Sequence, residues 1–293
     1  MKKQTGKLHK AKIELIVSMA VFGTLGIFVR NIPLASGELA LYRAVLAAIL
    51  IGGYLLVSRT QISFSNIKKE LMLLILSGFA MGINWILLFQ AYKYTTVSIA
   101  TLSYYFAPVI VTVVCPFLFH EKLTAKQTFC FFMSTLGFCL IIGVSGFSSL
   151  GNELIGIMFG LGAAVFYAMV ILLNKFIKQI EGIHRTFLQI IAAIFILLPY
   201  VAFTGGFHLG SLDTAGWGNL LIVGILHTGI TYCLYFSSLK ELRGQEAAIL
   251  SYIDPLVAVL VSFIILGESI TFLQVIGGMM ILGFTFWNEK TAQ

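Results

Sequence analysis

Charged side chains are scarce in this sequence. Of its 293 residues 11% are Asp, Glu, Lys or Arg and 59% are hydrophobic, whereas a water-soluble domain carries about a quarter charged residues to hydrate its surface. With a mean hydropathy of +0.97, the chain has too little polar surface to cover a soluble globule, and it reads as an integral membrane protein. Cysteine is equally sparse. Cys115, Cys130, Cys139 and Cys233 all lie in apolar runs with no CxxC and no metal-ligand spacing, which suits small buried thiols. The five histidines, His9, His120, His184, His208 and His227, are scattered, and HExxH, GxSxG and paired aspartates are all missing. A membrane-embedded hydrolase or transferase needs such a nucleophile–base pair or metal cluster. The chain is therefore expected not to be an enzyme and to use no cofactor or metal.

What charge there is has a pattern. The net charge of +7 would suit nucleic acid only as a continuous basic patch, but the basic residues occupy short gaps between apolar runs, so no nucleic-acid partner is expected. The basic start, MKKQTGKLHKAK, leads directly into the first apolar run, and equally apolar runs follow, so that run reads as a retained helix rather than a cleaved signal peptide. A spanning helix needs about 20 mostly apolar residues. Candidates fall at 13–30, 38–57, 71–92, 97–118, 127–145, 154–174, 186–204, 217–238, 246–266 and 271–287. With the N-terminus placed in the cytoplasm, Arg30 and Lys93 are the only basic residues left outside and Arg43 the only one inside a span. All other lysines and arginines then face the cytoplasm, as the positive-inside bias requires. The expectation is an all-α protein with ten transmembrane helices and both termini cytoplasmic.

The chain is also written twice. FAPVIVTVVCPFLFHEKLTAKQ (106–127) aligns with IDPLVAVLVSFIILGESITFLQ (253–274). At an offset of 147 residues Pro108 meets Pro255, Glu121 meets Glu268, Thr124 meets Thr271 and Gln127 meets Gln274, while upstream Gly82 meets Gly229, Phe89 meets Phe236 and Tyr105 meets Tyr252. The halves are 1–146 and 150–293, five helices each. An odd number of spans per half makes the second an inverted copy of the first. Inverted repeats are a plan of secondary transporters, with the substrate site near the midplane between halves that rock about it.

APVIVTVVCPFLFHEKLT at the end of the fourth span, DPLVAVLVSFIILGESIT at the end of the ninth and YRAVLAAILI from Tyr42 carry a resemblance. The whole chain is similar to the ten-helix EamA-type branch of the drug/metabolite transporter superfamily. It departs from that family at His120, where glycine is usual, and at Ala107, where many members carry a polar or acidic residue. The resemblance implies secondary transport, often export, of small metabolites such as amino acids, amines or drugs across the cytoplasmic membrane of a bacterial cell. The expected partners are a small-molecule substrate and the lipid bilayer, with the proton as a candidate coupling ion, for a monomer or weak homodimer.

Ionisable groups in hydrocarbon are costly, by about 2.5–3.5 kcal/mol on insertion scales, so Asp254 and Arg43 head the candidate residues. Helical spacing puts Asp254 on a small, polar face with Ser251, Ala247, Ala258 and Ser262, opposite Leu256 and Leu260. It lies roughly 12 Å in from Glu246 at about 1.5 Å per residue. Pro255 lacks an N–H and frees the Ser251 carbonyl, so carboxylate and carbonyl together could take a proton or a cationic substrate group. Alternatively, Asp254 is a structural carboxylate tying helices together. Arg43 could attract a substrate carboxylate, pair with Glu38 or Asp254, or snorkel outward as an anchor; its counterpart in the second half is Gln189. Asn84 and Thr231 are repeat mates, as are Trp85 and Tyr232. On the eighth span Gly224, His227, Thr231, Tyr235 and Ser238 form a small and polar stripe, in which His227 could titrate near neutral pH or simply bridge helices. Tyr104, the mate of Ser251, is expected at the same central cavity, where an aromatic wall suits a flat or cationic ligand. Gly156 and Gly160 form a GxxxG that, with Gly277, Gly278 and Gly283, allows close helix approach. Glu121 and Glu268 are expected to cap or pair locally at opposite faces, with some capacity for gating. One acid plus one base within the spans fits a zwitterion such as an amino acid. The alternatives are an organic-cation or drug efflux carrier and, at greater distance, a channel or a membrane-embedded enzyme.

Overall fold

A computed structural model describes residues 2–58, 64–119, 124–145, 151–180, 182–239, 242, 250–251 and 253–289. Among these, every regular element is a helix: α1 (Lys2–Gly23), α2 (Leu25–Arg30), α3 (Ser36–Val57), α4 (Phe64–Tyr94), α5 (Val97–Tyr104), α6 (Ala107–Phe119), α7 (Ala125–Ser145), α8 (Asn152–Phe176), α9 (Gly182–Thr204), α10 (Thr214–Leu221), a π-helical segment (Ile222–Ile230), α11 (Thr231–Leu239), α12 (Ile253–Ile264) and α13 (Phe272–Glu289), with one 3-10 turn at Leu209–Ser211. Six stretches, Lys7–Arg30, Ser36–Val57, Ser65–Tyr94, Asn152–Phe176, Gly182–Thr204 and Thr214–Tyr235, are long and apolar enough to cross a bilayer. The regions of the fourth, fifth, ninth and tenth expected spans contain shorter apolar helices. Glu121, Glu246, Ala247 and Tyr252 lie outside the described residues.

The departures from plain helices have local causes. The fourth expected span is broken between α5 and α6 at Tyr105 and Phe106, where Phe106 N–H turns tightly to Ser103 O (3.2 Å). Pro108 has no N–H for the Tyr104 carbonyl, so the α-helical ladder cannot run through it. The first span breaks at Thr24, whose hydroxyl donates back to Val21 O (2.7 Å). In the eighth span, Thr228 and Thr231 hydroxyls donate to the carbonyls five residues earlier, Val223 (2.8 Å) and Leu226 (2.7 Å). These side chains line a wider turn, which shifts the face that a 3.6-residue period assigns.

Large apolar side chains are turned outward on the long helices. Leu56 is 81% exposed, Phe195 73% and Phe203 90%. In water such a surface would aggregate, and in hydrocarbon it is the natural outer face. Inside, α3, α4 and α9 bury Leu39, Ala44, Ile51, Phe89, Ile190 and Leu197 together. The packing pairs recur when the halves are exchanged. α4 lies on α8 as α11 lies on α1, α4 on α9 as the π segment on α3, and α5 and α6 on α8 as α12 on α1. The pairs α3–α9 and α7–α13 each map onto themselves under that exchange, and α5 also packs on α12.

Glycines set the closest approaches. A Cβ on Gly156 would sit 2.7 Å from the Thr95 side chain, and one on Gly160 would sit 2.8 Å from Ser103 Cβ and 3.2 Å from Ala100 O. The GxxxG is thus spent on packing α8 against α5 and its leading turn within the chain. Gly137 similarly faces Gly277 O at 2.7 Å, whereas Gly283 has open space. Gly160→Leu is expected to cost about 1–3 kcal/mol by overpacking. It should lower the melting temperature of the detergent-purified protein by several degrees, and an unchanged melting curve would contradict this packing.

Candidate functional site

A cavity of about 430 Å³ lies between the halves, within the size range of small-molecule sites. α1 and α2 contribute Phe22, Gly23 and Leu25, α3 Arg43, α4 Asn84, Trp85 and Tyr92, and α5 with its following turn Thr101, Tyr104 and Tyr105. From the second half come Tyr167 and Asn174 of α8, Arg185 and Gln189 of α9, Tyr232 and Tyr235 of α11, and Ser251, Asp254 and Ala258. Six of the eight expected residues, Asp254, Arg43, Asn84, Tyr104, Ser251 and Trp85, therefore meet at one cavity.

Asp254 is placed by α12, whose amphipathic pattern buries Ala258 and Ser262 and leaves Leu256 and Leu260 about half exposed. Its main chain abuts α1, since a Cβ on Gly23 would lie 2.6 Å from Asp254 O. The carboxylate accepts a 2.5 Å hydrogen bond from the Tyr105 hydroxyl. This bond crosses from the α5–α6 break of the first half to the second half.

Arg43 is 3% exposed and does not snorkel. Its Nε donates to Thr228 Oγ1 at 2.6 Å, its guanidinium bonds Tyr232, and it lies 4.8 Å over the Trp85 ring and 5.4 Å over that of Phe89. Among the described residues no carboxylate lies within ion-pair distance of it. Glu38 is engaged elsewhere: its carboxylate accepts from Tyr42 Oη at 3.0 Å and from the backbone N–H of His208. The loop that follows α9 thus takes the acid that was one of the two candidate partners of Arg43. Arg43 and Asp254 face the same cavity as unlike charges that do not neutralise each other.

Between them the wall is tyrosine. Tyr104 stacks on Tyr167 with centroids 5.0 Å apart and meets Tyr105 edge-on at 5.8 Å. Phe22 meets Tyr232 edge-on at 5.5 Å. Amides stiffen the frame. Asn84 Nδ2 donates to Ala163 O (2.7 Å), and Gln189 Nε2 donates to Ser77 Oγ (2.6 Å) and Asn174 Oδ1 (2.7 Å).

His227 and Thr231 are fully buried but are not among the described lining residues. The π turn directs His227 Nε2 to Thr24 Oγ1 (3.0 Å) and its ring against Phe28, while Thr231 bonds Leu226 O. They brace the cavity wall from behind. Sequence reasoning passed over Tyr105, Tyr92, Tyr167 and Arg185. The one available signal was the repeat match of Tyr105 to Tyr252; the other tyrosines are indistinguishable among 13% aromatic residues, and Arg185 reads as a cytoplasmic charge.

A bundle of helices with a lipid-facing apolar exterior, enclosing a polar and aromatic cavity that holds one acid and two arginines, has the build of a multi-pass membrane transporter. Residues 10–143 and 154–288 match the EamA-like transporter family. The chain belongs to that family, within the drug/metabolite transporter superfamily, and is a transporter rather than an enzyme. It is 33% identical over 272 residues to the uncharacterized transporter YxxF of Bacillus subtilis (strain 168), covering 92% of this chain and 86% of the relative. It is 28% identical over 279 residues to an uncharacterized transporter of Archaeoglobus fulgidus, covering 94% and 95%. A crystal structure with 15% identity superposes with a TM-score of 0.66 over 96% of both chains, a likeness of fold alone.

Proposed function

We propose that the protein is a secondary transporter that exports an amino acid or a related zwitterion or amine across the cytoplasmic membrane of a bacterial cell. It has ten transmembrane helices in two inverted five-helix halves, 1–146 and 150–293, with both termini in the cytoplasm. Alternating access moves the halves about the central cavity, and Asp254 exchanges a proton during the cycle. The observation that carries this reading is the presence in one cavity of Arg43 and Asp254, unlike charges with no bond to each other. A cargo with a carboxylate and an ammonium group satisfies both, with the carboxylate at Arg43 and Trp85 and the ammonium at Asp254 and Tyr105. Asn84, Ser251 and Tyr104 shape the space between them, and His227 and Thr231 support the wall. The packing pairs preserved on exchange of the halves support the inverted repeat, and the distribution of Lys and Arg supports the orientation.

A ligand that binds the folded state stabilises it by RT ln(1 + L/Kd), where L is its free concentration, so a melting screen on purified protein tests the charge requirement. Free amino acids are expected to raise the melting temperature, while their methyl esters and N-acetyl derivatives, each lacking one charge, should not. Equal shifts from all three would overturn the zwitterion. The tyrosine wall beside Asp254 favours a second reading, an organic cation held by cation–π contact. Larger shifts from esters and quaternary amines than from free amino acids would select it.

A further inference from the structure

Beyond the cavity, one carboxylate joins three helices that have to separate if the cavity is to open at their end. Gly267, with φ of +63°, reverses the chain after α12, a conformation that glycine adopts without penalty. Glu268 N–H then returns to Ser262 O (3.1 Å) and the Glu268 side chain folds back over the helix end. That side chain is 8% exposed. It accepts from the guanidinium of Arg30 at the end of α2 and from the Ser262 hydroxyl of α12. It also accepts from the backbone N–H of Val97, the first residue of α5, at 2.9 Å and 3.2 Å to its two oxygens. The α5 contact places the carboxylate on a helix N-terminus, where negative charge is favoured, and bonds from three residues converge on it, of the charge-assisted class that is the stronger.

The same helices wall the cavity: Leu25 precedes Arg30, Thr101 and Tyr104 follow Val97, and Asp254 and Ala258 precede Ser262. At the other end the lining reaches Asn174, Arg185 and Tyr235. The repeat supplies a comparison. Glu121 corresponds to Glu268, but Ile177 stands at the position of Arg30 and Cys115 at that of Ser262. Ile177 is buried in an apolar cluster with Leu74 and Ile180. The aligned positions of the first half thus carry neither the arginine nor the serine that hold Glu268.

We infer that Glu268, held by Arg30, Val97 and Ser262, is the latch that shuts the cavity at one membrane face. Because Ile177 and Cys115 stand at the positions aligned with Arg30 and Ser262, the latch biases the resting carrier toward opening at the Arg185 end. The inference rests on alternating access but not on the identity of the cargo.

Site-directed labelling with a membrane-impermeant maleimide tests it. Cys115, Cys130, Cys139 and Cys233 are replaced by serine or alanine, and Ser251→Cys supplies a single reporter on the cavity wall. Asn31→Cys, exposed beside Arg30, marks the Glu268 face in a separate protein. The reporter is expected to react only from the face opposite that marker. A minor state is typically populated at about 0.1–10%, so Arg30→Gln and Glu268→Gln should raise labelling from the Glu268 face by about ten-fold or more, and Ser262→Ala by less. Unchanged labelling in folded Arg30→Gln, or a wild-type reporter already reactive from the Glu268 face, would overturn the latch. Arg30→Gln leaves the Glu268 carboxylate on α5 and decides the matter if Glu268→Gln elutes as aggregate. Labelling reads access rather than cargo, so a failed melting screen leaves this result standing, and a failed latch leaves the zwitterion reading untouched.

Discussion

Asp254→Asn is expected to abolish gradient-driven transport, by at least about 100-fold, with elution profile and melting temperature close to wild type. An amide is nearly isosteric with a carboxyl group, and its oxygen can still accept the Tyr105 hydroxyl that now meets Asp254 Oδ2 at 2.5 Å. The contact between Gly23 and the main chain of α12 involves backbone and Val257 and is not altered. What disappears is the negative charge and the ability to take and release a proton. An ammonium group that loses its counter-charge in a poorly solvated cavity loses far more than it would in water, because the local dielectric is low. Proteoliposomes with an imposed pH gradient supply the check, and wild-type rates there would refute the role of Asp254. Exchange of cargo without a gradient separates two contributions. If Asp254 only carries the proton, exchange survives in the asparagine variant; if it also holds the ammonium group, exchange falls as well.

Arg43→Gln carries the second large expectation. Hydrogen bonds to charged groups contribute about 1.5–3 kcal/mol, and each 1.4 kcal/mol is about ten-fold in affinity. Apparent affinity for a zwitterion is therefore expected to fall by about 10- to 150-fold, read from the concentration dependence of the melting shift. The fold should tolerate the change. Thr228, which loses the Arg43 donor, keeps its own bond to Val223 O at 2.8 Å, and no buried carboxylate is left without its partner. Arg43→Lys is expected to recover only part of the loss, since an ammonium group cannot reproduce the planar fork or lie flat over Trp85. A cargo amine without a carboxylate should be indifferent to Arg43→Gln and sensitive to Asp254→Asn. Unaltered zwitterion affinity in Arg43→Gln would remove this arginine from the site.

The cavity was legible where its residues violate the rule of their surroundings. Asp254 and Arg43 stand out because hydrocarbon penalises charge, and Ser251 and Tyr104 follow by helical spacing and repeat position. Tyr105 and Tyr167 break no rule; aromatic side chains are equally at home in lipid, at an interface or on a cavity wall. His227 stood on the correct stripe for an α-helix, but the π turn between Ile222 and Ile230 directs it to Thr24 instead. Glu38 and Glu268 were readable as helix-end carboxylates, while their partners lie 170 and 171 residues away in sequence, beyond the reach of local pattern.

The sequence by itself determined that this chain lives in a membrane, that it is helical, and that one acid and one base are embedded in it. Those conclusions depend on composition and on periods of a few residues, which the transfer free energy of side chains and the geometry of a helix impose directly. Tertiary structure alone decided that Arg43 and Asp254 share a cavity without pairing, that Tyr105 holds the carboxylate, that Glu38 is taken by the loop after α9, and that Glu268 binds the start of α5. Each of these depends on which helix ends meet across the bundle. Where competing partners are all polar and within a turn of one another, only the packed arrangement of helices selects among them.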